Sequence, residues 1–358
     1  MSDINQLQSL LASGIDNHLY SCAQLVISDA KHDIANLYVG KTRLNYGKND
    51  SNCRANAITS ETLFDVASLT KPIATTSLVM QALAERMFSL KQKLITLNSF
   101  PLPSWCLGCT IEELLSHQTP LPAWFDFHET LPRREDHETA KRAFAIACQK
   151  LNPRDDNQSW CYSDIGFIIL GFLLESIYGM ELDKLFSQKV AEPLGLESQM
   201  MYRPLHHVDR STIAATCPYQ DAYIQGHPDD ANARALTHIA GHAGLFASAR
   251  AIAAFVRSLI SHSFPCPASI IDQFLTYRSP RTPFALGWDR PTSDDSLSAR
   301  KAGDNVIGHL GFTGCSVWID LDTKRSVTLL TNRTHMNDNP KSIADLRRKI
   351  HKLSWELP

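Results

Sequence analysis

Strand signals lie at the two ends of this chain, and helical signals fill the space between them. "SCAQLVISDA" and "DIANLYVG", joined through Lys31 and His32, read as two strands near the N-terminus. "NVIGHLGFTGCSVWID" and "RSVTLLTN" read as strands around the turn "LDTK" near the other end. In the middle, residues 111–117, 138–150, 165–178 and 181–191 carry helical spacing, separated by proline-rich loops such as "TPLPAW". Residues 3–18, with Ile4, Leu7, Leu10, Leu11 and Ile15 on one face, predict an amphipathic helix, and "KSIADLRRKIHKLSWEL" predicts a closing one. Strands from both termini can share one sheet only if the helical middle is an insertion. The expected class is therefore α/β (α+β). Its sheet domain would comprise 1–75 plus 238–358, and its mostly helical domain 76–237.

The 358 residues suffice for one large domain or two modest ones. A net charge of −2, with basic residues scattered, argues against nucleic acid or a membrane surface as partner. The most apolar segment, "IGFIILGFLLESIYGM", is interrupted at Glu175 and is too short to span a bilayer. The first residues lack a basic region, a continuous apolar run and a small-residue cleavage site; with Met1 as the start, the expected location is cytoplasmic. Nine cysteines, an odd count without a framework pattern, read as free thiols in a reducing compartment. Cys106 and Cys109 have CxxC spacing without a second pair, so ordinary thiols are expected there. His238 and His242 have i, i+4 spacing but no HExxH glutamate, and Gly241 and Gly244 favour a turn. No metal is expected.

The segment "DVASLTKPIATTSLVMQALAE" carries the chemistry. Ser68 and Lys71 are three apart, so on a helix they share a face. If the helix begins at Ser68, the serine is an N-cap type and Pro72 falls in the first turn, where its missing N–H costs least. The run after Lys71 has no charged face, which predicts a buried helix holding both side chains rigidly. A serine hydroxyl becomes a nucleophile when a base takes its proton. A lysine is such a base only when its pKa is lowered. A second SxxK, Ser298 to Lys301, lies in a polar loop without a following apolar helix.

Two further motifs follow in order. Tyr162-Ser163-Asp164 precedes the apolar helix, with Ser163 or Asp164 as its N-cap. "GHLGFTG", residues 308–314, falls in a predicted strand. This succession resembles the serine β-lactamase and penicillin-binding protein superfamily. Within it the chain looks most like the class C β-lactamase, D-alanyl-D-alanine carboxypeptidase and esterase group. The likeness extends over roughly residues 20 to 335, through "IEELLSHQTPLPAW", "LGLESQM", "AGHAGLFASARAIAAF" and "VTLLTNRTH". It implies an antiparallel sheet built from both termini and flanked by helices, with the active site at the junction with the helical region.

The resemblance also implies roles. Ser68 would be the acylated nucleophile, Lys71 its proton partner, and Tyr162 the proton shuttle to the leaving group. Whether Lys71 or Tyr162 acts first stays open. Asp164 stands where the family often has asparagine; its carboxylate would pair with Lys71 and raise the lysine pKa, favouring Tyr162 as base. His309 takes a position that is lysine in class C β-lactamases, and its charge would titrate near neutrality. Leu310 replaces a threonine hydroxyl that could bind a substrate carboxylate. The oxyanion hole would be the N–H groups of Ser68 and Phe312, with Gly311 letting the strand approach closely and Arg333 available to attract an anionic group. Tyr219-Gln220-Asp221 repeats the second motif in a predicted loop. The expectation is a cofactor-free serine hydrolase. It would form an acyl-enzyme on an ester, an amide or a D-amino-acid peptide, with a small molecule or short peptide as its partner. A cytoplasmic location favours an esterase, or a peptidase of small cell-wall fragments. The alternatives are a catalytically weak binding or regulatory member of the fold, suggested by Asp164 and Leu310, and a metallohydrolase using His238, His242 and the CxxC pair.

Overall fold

Every residue of β1 (Cys22–Ser28) is buried, because each face of this strand meets a different layer. Ala23, Leu25 and Ile27 join Leu7 and Leu11 of helix α1 (Asp3–Asp16) in one core, while Cys22 and Val26 alternate into the main core. The remaining strands are β2 (Asp33–Gly40), β3 (Phe64–Asp65), β4 (Met200–Tyr202), β5 (Pro218–Tyr219), β6 (Ala222–Tyr223), β7 (Leu245–Ala247), β8 (Val306–Leu310), β9 (Ser316–Asp320) and β10 (Arg325–Thr331). The computed structural model describes residues 3–44, 55–97, 101–131, 136–219, 222–336 and 342–358.

The main sheet has the order β2-β1-β10-β9-β8 and is antiparallel throughout, so both ends of the chain build it as expected. The helices after α1 are α2 (Ser77–Ala84), α3 (Ile111–Leu115), α4 (Phe127–Thr130), α5 (His137–Cys148), α6 (Asp164–Tyr178), α7 (Leu182–Phe186), α8 (Ala231–Ala235), α9 (Ala249–Ile260), α10 (Ala268–Thr276) and α11 (Ser342–Glu356). Ile343, Leu346 and Ile350 of α11 share the α1 core, and α9 covers the opposite face against β1 and β10.

Several local expectations change. The stretch 305–320 is two strands, because Gly311 N donates to Cys315 O (2.8 Å) and turns the chain between β8 and β9. The helix predicted at 181–191 is α7, followed by a π segment (Ser187–Ala191) and a 3₁₀ turn that stops at left-handed Gly195. Tyr219 lies in a two-residue strand pair; Gln220 and Asp221 lie outside the described residues. A second small sheet, β3-β7-β4, has no counterpart in the sequence reading.

Helix α6 explains the interrupted apolar run. Ile165 to Glu175 are all buried, Ser163 is its N-cap, and Gly179 at φ +62° ends it. The Glu175 carboxyl group is matched by His137 (2.7 Å) and Lys141 (3.4 Å), so this buried polar group has partners. Among the described residues no single helix is long and apolar enough to cross a membrane.

Candidate active site

The second sheet delivers Ser68. Strand β3 pairs with β7, and Val66 N continues the ladder to Leu245 O (3.1 Å). The chain then turns sharply, with Ala67 at φ +48°, a left-handed conformation costing a non-glycine residue about 1–3 kcal/mol. Asp65 holds this turn: its carboxylate accepts from Ala67 N (2.9 Å) and from Asp229 N (2.6 Å). Burial pushes the Asp65 carboxyl up to about 7. Ser68 is not an N-cap. It sits inside a 3₁₀ turn (Ala67–Leu69), and Lys71 opens a π segment (Lys71–Thr76) that becomes α2. The wider π turn tolerates Pro72 and sets Lys71 beneath the serine.

Lys71 is fully buried, and its ammonium is surrounded by acceptors. Nζ donates to Ser68 Oγ (2.9 Å) and to the His242 carbonyl oxygen (3.3 Å), and lies 2.7 Å from Asp164 Oδ1. It also stands 4.8 Å from the Tyr162 ring centre. Tyr162 lines the same cleft as Ser68 and Asp164, beside the lysine. Burial works to lower the lysine pKa, but Asp164 and Tyr162 outweigh it and hold it above the ordinary value. Burial raises the Tyr162 pKa, and the neighbouring ammonium offsets only part of this. The resting arrangement is therefore an ammonium–carboxylate pair beside a neutral phenol.

Two glycines permit these approaches. A Cβ on Gly241 would lie 2.0 Å from Phe167 O, so only glycine lets the 238–244 turn press against α6 and present the His242 carbonyl to Lys71. A Cβ on Gly311 would lie 2.6 Å from Val66 O, so the strand end meets the nucleophile turn closely. Phe312 then lines the same cleft as Ser68. Among the described residues, neither the Ser68 nor the Phe312 N–H donates to another backbone group.

The structure brings together Ser68, Lys71, Tyr162 and Asp164, with Phe312 on the cleft wall. His309 sits one layer back, its ring 5.9 Å from Tyr162 and its Nδ1 2.8 Å from Leu310 O. Burial, aided by Lys71, pushes its pKa down to about 3, so it is neutral where the sequence suggested titration near neutrality. Arg333 is buried; its guanidinium donates to the Phe312 carbonyl oxygen and lies 4.9 Å from the Phe312 ring centre. It braces the β8–β9 turn and is not part of the cleft lining. His238 and His242 do not converge. His238 stacks on His227 at 4.8 Å, while His242 Nε2 contacts Asp230 Oδ1 at 3.0 Å.

Sequence reasoning missed His117. Its Nδ1 accepts from Ser163 N (3.0 Å), its carbonyl accepts from Cys161 N (2.9 Å), and its ring packs 4.6 Å from Tyr162. Burial and the charge on Lys71 hold it well below the usual histidine range, so it acts as a neutral acceptor. The cleft encloses about 500 Å³ and is lined by Ser68, Trp124, Tyr162, Asp164, Asp229 and Asp230 among others. A second cavity of about 540 Å³, beside His137 and Glu175, lies away from the serine.

A terminal-strand sheet flanked by helices, with a serine one turn from a buried lysine, is the β-lactamase/transpeptidase-like architecture. The Beta-lactamase family matches residues 26–352, and the chain belongs to it, and so to a family of serine hydrolases. The chain is 27% identical to an N-acetylmuramyl-L-alanine amidase of Bacillus subtilis (strain 168) over 77% of its own length and 69% of the relative's. It is 26% identical to a protein of Escherichia coli O157:H7 provisionally named a D-alanyl-D-alanine carboxypeptidase, over 49% of this chain; that match spans only 45% of the relative. The fold also matches EstCE1, described as a hydrolase with promiscuous acyltransferase activity, at a TM-score of 0.72 and 18% identity over 98% of each chain.

Proposed function

We propose that the protein hydrolyses an ester or amide bond through an acyl-enzyme on Ser68. One observation carries this reading: Lys71 Nζ is 2.9 Å from Ser68 Oγ and 4.8 Å from the Tyr162 ring centre, with Ser68 and Tyr162 lining one open cleft. Ser68 Oγ attacks the acyl carbon, and the carbonyl oxygen takes the negative charge between the Ser68 and Phe312 N–H groups. Each such donor contributes about 3 kcal/mol to transition-state stabilisation. The leaving group departs with a proton supplied through Tyr162, and water then releases the acyl group. In this reading the cleft lies between a sheet region (1–75 and 238–358), which supplies Ser68 and Phe312, and a mostly helical region (76–237), which supplies Trp124, Tyr162 and Asp164.

The charges narrow the substrate. The Lys71 ammonium is already met by Asp164, His309 is neutral, Arg333 serves the Phe312 carbonyl, and position 310 is leucine. A substrate carboxylate entering the cleft would meet Asp229 and Asp230 instead of a cation. Trp124 and Phe312, 50% and 65% exposed, offer apolar faces. Esters and amides without a free carboxylate at the leaving group suit this cleft better than D-alanyl-D-alanine peptides. A catalytically weak binder is favoured by one fact alone, the committed Lys71–Asp164 pair.

The test is intact mass after exposure to a fluorophosphonate, with hydrolysis of a short-chain nitrophenyl ester and of a D-alanyl-D-alanine peptide assayed in parallel. Wild type should gain one phosphonyl adduct and Ser68→Ala none, with ester turnover exceeding peptide turnover. An adduct retained by the alanine variant removes Ser68 from the mechanism. An adduct without turnover identifies the weak binder.

A further inference from the structure

We propose that Asp164 is the terminal proton acceptor of acylation, with Lys71 as the conduit between it and Ser68. The inference rests on the acyl-enzyme reading above and concerns where the serine proton goes. An ammonium has three hydrogens and no lone pair. Lys71 donates to Ser68 Oγ at 2.9 Å and His242 O at 3.3 Å, and Asp164 Oδ1 lies 2.7 Å from Nζ as its ion-pair partner. In this state Lys71 can accept nothing. Tyr162 is a neutral phenol and must lose a proton before it can hold another. Of the three groups clustered around the serine, only the Asp164 carboxylate can take a proton at once, and it touches the lysine directly.

The transfer balances. A proton moves from Lys71 Nζ to Asp164 Oδ1, leaving a neutral amine and a carboxylic acid. The amine lone pair takes the Ser68 hydroxyl proton as the Oγ–C bond forms, and the carbonyl electron pair moves onto oxygen. On collapse the bond to the leaving group breaks, and its electrons depart with that group, which takes the phenolic proton of Tyr162. Tyr162 is reprotonated by Lys71, and Lys71 by Asp164, restoring the starting state.

Other titratable groups face Asp164 from the elements packed around it. Asp230, at the start of α8, and His242, on the turn before β7, place ligand atoms within 4.8 Å of one another and of Asp164. His242 Nε2 already contacts Asp230 Oδ1, so the second carboxylate is engaged. Lys71 and Tyr162 face Asp164 from the nucleophile side, and neutral His309 of β8 stands behind Tyr162. A carboxamide at position 164 could hold Lys71 but could not receive its proton.

The experiment is the pH dependence of Ser68 phosphonylation in wild type, Asp164→Asn and Asp164→Glu. It needs no knowledge of the natural substrate. In Asp164→Asn, only Tyr162 is left to oppose the effect of burial on Lys71, and the lysine must itself deprotonate to serve as base. The acid limb of the profile should move up by about one pH unit or more. Labelling near pH 6 should fall at least about tenfold, and the rates should converge as pH rises past about 9. Asp164→Glu should keep the wild-type limb at a reduced rate, a rescue that a purely structural role would not give. Coincident limbs in wild type and Asp164→Asn would overturn the relay, as would a glutamate variant that behaves like asparagine. Absence of Ser68 labelling in wild type at every pH would instead remove the hydrolase reading, and the relay with it.

Discussion

His117 spends its hydrogen-bonding capacity on a neighbour. Nδ1 takes the Ser163 N–H, and the ring backs Tyr162 on one side and Phe284 on another, at 4.6 and 4.7 Å. His117→Ala would orphan a buried N–H, which costs about 1–3 kcal/mol, and open a void behind the phenol. The expected outcome is an unfolding free energy, measured in urea, lowered by about 3 kcal/mol, with kcat for a nitrophenyl ester down about tenfold and KM little changed. Unchanged kcat in a folded variant would mean that Tyr162 needs no backing. Spacing singled out Ser68 and Lys71, and the family resemblance carried by the order of motifs implied Tyr162 and Asp164. The roles of Asp65, His117 and Asp230 depend on partners remote in sequence: Asp65 on Asp229, His117 on Ser163, Asp230 on the turn that carries His242. His309 failed for the same reason. Its identity was visible, but its charge state depends on a burial that only the assembled β8 and its neighbours create.

Elements placed the site by close approach more than by length. The β3-β7-β4 sheet aims the nucleophile, yet its strands are two or three residues long, too short to show a two-residue period. The long elements were legible: α6, β1, β2 and β10 lie within a residue or two of expectation. The π segment under Lys71 was not, because nothing in "KPIATT" distinguishes a wide turn from an ordinary one. The approach of the 238–244 turn to α6 can be tested at Gly241. Its added Cβ would stand 2.0 Å from Phe167 O and 3.1 Å from the Gly171 Cα, both backbone atoms that cannot yield independently. Gly241→Ala should therefore destabilise by about 1–3 kcal/mol and, by displacing the His242 carbonyl from Lys71, slow phosphonylation of Ser68. Gly108→Ala, where a Cβ meets nothing within 4 Å, is the control and should leave both unchanged. Equal melting temperatures for the two variants would show that the turn can relax away from α6.

Across the whole molecule, burial of ionisable groups predicts how stability answers to pH. His309 and His351, buried on β8 and α11, are pushed down to about 3, and His117 well below its usual range. All three are neutral in the folded protein at pH 5 and protonated once unfolded, since a free histidine titrates near about 6.5. Two carboxyls work the other way. Burial raises Asp65 to about 7 and Asp289 to about 6, so near pH 5 each holds a proton when folded and releases it on unfolding. His238, pushed down to about 4, joins these histidines; together they outnumber the carboxyls, and near pH 5 unfolding takes up roughly two protons net, so stability rises with pH by about 2.7 kcal/mol per unit. The melting temperature should therefore fall steadily as pH drops from about 6.5 to about 4, measured by calorimetry in buffers of matched ionic strength. His351 reaches Ser316 Oγ through Nε2 at 3.0 Å, and His351→Gln removes its titration. That variant should flatten the slope by roughly one proton, to about half its wild-type value over this range. A melting temperature that is level or climbs on acidification of the wild-type protein would mean that these histidines carry charge inside the fold, and the neutral His309 behind Tyr162 would have to be abandoned with them.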